Sequence, residues 1–260
     1  MLEIFLIFCL AHLAADFPLQ SDALVNRKAR GAASPYLHHG AIHFAAIFAV
    51  AAFSYPSLLT RMLFYATCSA LVAAHLLIDF GKQKLCTARG WGEHFWIFSG
   101  DQALHLATIA AAAAFFSATR FSTLFASLRA LAPHRETILA VLVVYFAVVF
   151  AGGYLIRFLT RPLTKHLPRL GDEDGPSLRN AGMYIGWLER SLVLTALLLR
   201  SPATVGLVLA AKSIARFPEL GKSERFAEYF LIGTLLSLLL AIFAGVFLLR
   251  TMTGHVNLTP

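Results

Sequence analysis

Long apolar runs separated by short basic or polar stretches set the pattern of this chain. Runs such as ILAVLVVYFAVVFAGGYLI and YFLIGTLLSLLLAIFAGVFLL are each long enough to cross a bilayer, which takes about 20 residues in a helix. No period-two alternation of the kind a barrel needs is present, so the pattern predicts helices. Eight segments are expected, near 2–17, 39–54, 60–80, 101–117, 137–159, 183–199, 203–216 and 227–250. The first and seventh are short for full spans, and the seventh reads as partial or tilted. The first, MLEIFLIFCLAHLAADF, has no basic residues ahead of its apolar stretch, so it reads as a retained span and not a cleaved signal. The fold class expected is all-α, a polytopic membrane helix bundle.

Polar residues interrupt four of these segments in a regular way. His12/Asp16, His39/His43, His75/Asp79 and Asp101/His105 are each spaced i to i+4, within CLAHLAADF, HHGAIHFAAI, AAHLLIDFGK and SGDQALHLAT. That spacing puts both members of a pair on one helix face. Imidazoles and carboxylates are costly in lipid and need partners there. The second half has a different polar set, with Glu189 and Arg190, Lys212 and Arg216, and Glu228.

Composition sharpens the class. The chain is 58% hydrophobic and 14% charged, against about 25% charged residues in a soluble domain. The formal net charge of +8 reads as basic flanks that set topology and meet lipid headgroups, not as a nucleic-acid surface. Basic residues concentrate in the first, third, fifth and seventh loops. That bias places those loops in the cytoplasm and both termini outside it. Because consecutive spans alternate in direction, all four polar pairs then fall at the same cytoplasmic end, where they predict one site. Two halves are expected: 1–118, a four-helix His/Asp bundle, and 119–260, a second four-helix membrane half with a cytoplasmic loop at 160–182. Cys9, Cys68 and Cys86 are odd in number and match no disulfide or zinc-knuckle spacing. They read as small hydrophobes.

Five histidines and three aspartates pooled in this way point to a divalent metal. Zinc is the first candidate, with manganese and iron as alternatives. Inward-facing i, i+3 or i, i+4 pairs are a known way to build such a site in a bundle. The expected ligand set is His12, Asp16, His39, His43, His75, Asp79, Asp101 and His105. Eight groups exceed one tetrahedral shell, so either two metals bind or some members orient the others. His38 adjoins His39 and competes with it for the ligand position, about 100° round the helix. A bound metal could generate a nucleophile from water beside a lipid headgroup, with Asp16, Asp79 or Asp101 as general base. Gln20, Lys82 and Gln102 near the site are the expected substrate contacts, together with Lys212 and Arg216 in the second half, which could hold a phosphate or instead pair with Glu189 and Glu228 as structural ion pairs. Lys82 is also placed to pair with Asp79, and Asp101 after Ser99-Gly100 reads as a helix N-cap. Rival readings are an ion-coupled transporter or channel with a His/Asp relay, haem ligation, and a structural subunit whose polar pairs lock helices together. Membrane lipids are the expected partners, and a homo-oligomer or another membrane subunit is left open.

The runs HLAADFPLQ, HHGAIH, HLLIDFGK and DQALHL resemble a bacterial inner-membrane family known as domain of unknown function 3307. The later GWLER, AAKSIARF and EYFLIGTLLS resemble the second half of its longer members. More distantly, the chain is similar to the YdjM-type membrane-bound metal-dependent hydrolases. That resemblance implies the same eight His/Asp positions as a metal site and hydrolysis of a phosphoester as the activity.

Overall fold

The computed structural model describes residues 1–29, 32–92, 94–118, 135–164, 181–221 and 224–253. The described residues are helical throughout, with no strand among them. Four helices are long and apolar enough to cross a membrane: Ser34–Ser54, Met62–Arg89, Arg135–Leu163 and Glu224–Met252. Their outward faces carry exposed Phe53, Leu77, Leu159 and Phe243 among many other large apolar side chains. Such faces suit lipid, where apolar exposure carries no penalty. Of the expected loop at 160–182, the stretch 165–180 lies outside the described residues, as do His134, His166 and His255.

The chain divides into two compact units, Met1–Phe146 and Ala147–Pro260. In the first, α1 (Leu2–Asp16), α3 (Ser34–Ser54), α4 (Met62–Arg89) and α5 (Phe95–Ser117) form a closed ring. α1 packs on α3, α3 on α4, α4 on α5, and α5 returns to α1. A short amphipathic α2 (Asp22–Ala29) rests on α3, and α6 (Arg135–Phe146) packs along α1. The apolar core lies beneath the polar pairs and includes Ile7, Phe8, Ile47, Phe64, Cys68, Val72, Ile109 and Ala113. Phe8 stacks on Phe64 with ring centroids 6.2 Å apart. Small residues set the helix spacing, as they do in membrane bundles. Ala11, Ala15 and Ala51 are fully buried, and a Cβ on Gly40 would sit 3.1 Å from Leu76 Cδ1.

In the second unit a π-helical turn at Ala147–Ala151 precedes α7 (Gly152–Thr164). α8 (Ala181–Leu198), α9 (Pro202–Leu220) and α10 (Glu224–Thr253) follow, with α10 packed on α7, α8 and α9.

Three boundaries differ from the hydropathy reading in ways that matter for the site. α4 continues to Arg89, so Lys82 rides on the helix and not in a loop. It ends where Gly90 takes a left-handed φ of 63° and caps the last carbonyls. α5 starts at Phe95, with His94 before it, so Asp101 is an interior helical residue and not the N-cap that Ser99-Gly100 suggested. One glycine costs a helix only about 1 kcal/mol, which tertiary packing along the segment readily offsets. α2 falls in a stretch with too few apolar residues to register as a segment, and only Leu24 and Lys28 of it are buried.

Candidate metal centre

The ring of helices brings all four polar pairs together. The last turn of α1 supplies His12 and Asp16, and the second turn of α3 supplies His39 and His43. The middle of α4 supplies His75 and Asp79, and α5 supplies Asp101 and His105. Within each helix the i, i+4 spacing aims both side chains inward. His39, His43, His75 and His105 are each no more than 3% exposed. His38 is exposed, so the choice between it and His39 goes to His39.

Four atoms form the centre of the cluster. Asp16 Oδ1 lies 2.9 Å from His43 Nε2, 3.1 Å from His39 Nε2 and 3.4 Å from His75 Nε2. His39 Nε2 is 3.0 Å from His75 Nε2 and 3.2 Å from His43 Nε2. These are five of the six edges that a tetrahedron on these four atoms would have. A regular tetrahedron with edges of about 3.1 Å has its centre about 1.9 Å from each vertex, close to the roughly 2.0 Å of a zinc–imidazole or zinc–carboxylate bond. Three imidazole nitrogens crowded about one carboxylate oxygen cannot all be satisfied by the few protons they carry. A cation at the centre satisfies all four at once, so the donor set fits a divalent metal.

The remaining four members surround this set. His12 Nδ1 is 3.6 Å from Asp16 Oδ2, and its Nε2 faces Gln102 Oε1 at 3.4 Å. Asp79 Oδ2 lies 3.7 Å from His39 Nε2 and 3.8 Å from His75 Nε2. His105 Nε2 is 3.9 Å from Asp79 Oδ1, its Nδ1 is 3.7 Å from Asp101 Oδ1, and neither ring nitrogen has a hydrogen-bond partner. Ligand atoms of His12, Asp16, His43 and His75 lie within 4.8 Å of one another, as do those of His39, His75 and Asp79, and of Asp79, Asp101 and His105. All eight positions singled out in the sequence therefore converge, in an inner tetrad and an outer group.

Two lysines complete the charge balance. Lys28 of α2 is buried and donates to Asp79 Oδ2 at 2.6 Å. Lys82 donates to Asp101 Oδ2 at 2.9 Å, and Gln102 Nε2 donates to the same oxygen at 3.2 Å. Lys82 thus pairs with Asp101, not with Asp79 as its place on α4 suggested. The reason is that Asp79 is already occupied by Lys28, a residue of the basic stretch between the first two pairs. Its spacing from Leu24, one buried face of a short basic helix, was the available signal. Gln20 sits between Asp16 and Lys28: with its amide turned, it donates to Asp16 O at 3.1 Å and accepts from Lys28 Nζ at 2.8 Å. On the apolar side a small cavity is lined by His12, His43, His75, His105, Phe8 and Thr108, among others.

Lys212 and Arg216 lie on α9 in the second unit. Lys212 donates to Glu189 Oε2 at 2.6 Å, as the ion-pair reading of this set expected.

Residues 4–132 match a family described as a protein of unknown function (DUF3307). The matched stretch contains all eight converging residues together with Gln20, Lys28, Lys82 and Gln102. No curated protein and no solved structure matches the chain. The apolar helices and the buried His/Asp groups are those of a membrane protein able to bind a metal.

Proposed function

We propose that this protein is an eight-span bacterial inner-membrane metalloprotein of the DUF3307 family that hydrolyses a phosphoester of a lipid or another membrane-associated substrate. One observation carries the reading: the tetrad of Asp16 Oδ1 with His39, His43 and His75 Nε2, in which five of the six edges are 2.9–3.4 Å, the spacing of donors in a metal's coordination shell. These four residues hold the ion. A divalent ion there would supply Lewis acidity and a bound water that ionises near neutral pH.

The chain's own groups have separable roles. Asp16, one of three aspartates considered as a base, serves as ligand, because its carboxylate is shared by three imidazoles. Asp79 and Asp101 are the proton acceptors, and His105 lies between them. Lys28 and Lys82, each a donor to one of these carboxylates, are placed to meet the oxygens of a phosphoester, with Gln20 and Gln102 beside them. His12 orients Asp16 and Gln102. Four protein ligands close a tetrahedral zinc shell, so hydrolysis at zinc requires a fifth position. Manganese or iron would keep two positions of an octahedron for water and substrate. The identity of the metal therefore bears directly on catalysis.

The basic loops favour a cytoplasmic site with both termini outside, and the distant resemblance to YdjM-type hydrolases points the same way. Membrane lipids are the expected surroundings and the first substrate class. The deciding measurement is metal content by mass spectrometry, on protein purified without chelator, followed by phosphate-ester turnover with each metal found. About one ion per chain in the wild type, with turnover dependent on it, supports the proposal. Protein that is folded and metal-free under these conditions overturns it.

A further inference from the structure

Among the described residues the second unit contains a buried cation with no carboxylate in hydrogen-bond contact. Arg190, near the middle of α8, is 5% exposed. Its Nε and Nη2 donate to Val149 O at 3.2 and 2.7 Å, and Nη1 donates to Ser237 Oγ at 3.3 Å. Val149 lies in the π-helical turn, where the regular hydrogen-bond ladder is broken and a carbonyl is left for an outside donor. Among the described residues no carboxylate pairs with Arg190, since its neighbour Glu189 is taken by Lys212. The guanidinium has five N–H groups, so one on each terminal nitrogen remains after these bonds. Gly153 and Gly186 make the space for it. A Cβ at either would come within 2.8 and 3.1 Å of Arg190 nitrogens.

A small pocket opens beside this group, lined by Arg190, Lys212, Thr234 and Ser237 together with apolar side chains. Hydroxyls on these helices normally fold back on their own backbone. Thr160, Ser191, Thr195 and Ser213 each donate to the carbonyl four residues earlier. Thr234 does not, and its buried Oγ1 has no hydrogen-bond partner. Arg190 and Lys212 against Glu189 leave one net positive charge in a low-dielectric setting, which is costly unless an anion balances it.

We propose that this pocket is a second binding site, independent of the metal centre, that takes a phosphate-type oxyanion, either a lipid headgroup or free phosphate. Donors from Arg190, Lys212, Thr234 and Ser237 surround one small volume. That number suits the several oxygens of a phosphate better than the two of a carboxylate.

The test uses the full-length protein, delipidated in a neutral detergent, with its unfolding temperature followed during titration. One arm adds phosphatidylglycerol against a phosphatidylcholine control. The other adds sodium phosphate against chloride at matched ionic strength. A rise of at least about 3 °C in either arm, with half-saturation weakened at least about tenfold in Arg190→Gln and in the nearly isosteric Thr234→Val, supports the site. The responding arm identifies the source. Should Arg190→Gln fail to fold, Thr234→Val decides alone. No rise in either arm, or a rise that the variants retain at the same concentration, overturns the proposal.

Discussion

His39 Nε2 on α3 and His75 Nε2 on α4 face each other at 3.0 Å, with His43 Nε2 3.2 Å from the first of them. A neutral imidazole has one N–H, so a single proton on His39 cannot serve both short N···N contacts and its 3.1 Å approach to Asp16 Oδ1 at once. A cation removes the conflict by accepting all three lone pairs. His75→Ala and His39→Ala each delete one vertex and should reduce bound metal from about one ion per chain to background, measured on protein purified without chelator. His38→Ala, altering the exposed neighbour, should leave the metal content unchanged.

His12 separates orienting groups from ligands. It faces Asp16 Oδ2 at 3.6 Å and Gln102 Oε1 at 3.4 Å but lies outside the tight tetrad. Groups that orient ligands typically contribute about 10–100-fold to metal affinity. His12→Ala should therefore bind the metal with affinity lowered by about that factor, while His43→Ala should lose it altogether. Competition with a chelator of known affinity reads both. Equal losses in the two variants would place His12 among the ligands.

The two lysines should differ in their effect on stability. Lys28 and Asp79 have side chains only 8% and 10% exposed and meet at 2.6 Å. Removing one partner of a buried pair strands a charge and costs about 3–5 kcal/mol, so Lys28→Met should be strongly destabilised. The Lys82 side chain is 28% exposed, and its partner Asp101 keeps a hydrogen bond from Gln102 when the lysine is removed. Lys82→Met should cost about 1 kcal/mol or less. Unfolding of the purified variants in mixed micelles, with Lys28→Met the less stable, checks the order.

The contrast between these lysines also shows what was legible in the sequence. The four pairs were readable because i, i+4 spacing fixes a helix face locally, and because antiparallel neighbours bring equivalent ends together. Nothing in that reasoning needs tertiary detail, and all eight residues do converge. Lys28 was not readable in the same way. Its role depends on α2 folding back over the bundle, and an eight-residue helix with two buried positions leaves almost no periodic signal. Asp101 looked like a cap because glycine and serine precede it, yet packing along α5 extends the helix six residues further towards the N-terminus. Arg190 was visible as a charge in an apolar run. Its environment, however, depends on a π-helical turn forty residues earlier freeing the Val149 carbonyl, and no local pattern announces that turn.

Glycine substitutions offer a test of the Arg190 cradle that needs no ligand. In the interior of a helix, alanine is favoured over glycine by about 1 kcal/mol. At Gly206 on α9 nothing lies within 4 Å of the added Cβ, so Gly206→Ala should be neutral or gain up to that amount. At Gly153 the Cβ would stand 2.8 Å from Arg190 Nη2, and something must move. The far end of a free side chain could retreat at little cost, but this guanidinium is held by two hydrogen bonds to Val149 O and a third to Ser237. Displacing it gives up those bonds in a buried setting, so Gly153→Ala should lose about 1–3 kcal/mol despite its better helix propensity. Combining Gly153→Ala with Arg190→Met separates clash from propensity. If the clash with a pinned guanidinium is the cause, alanine at 153 should cost far less once the guanidinium is gone. A penalty of the same size in both backgrounds would locate the strain in the backbone and leave the cradle without support.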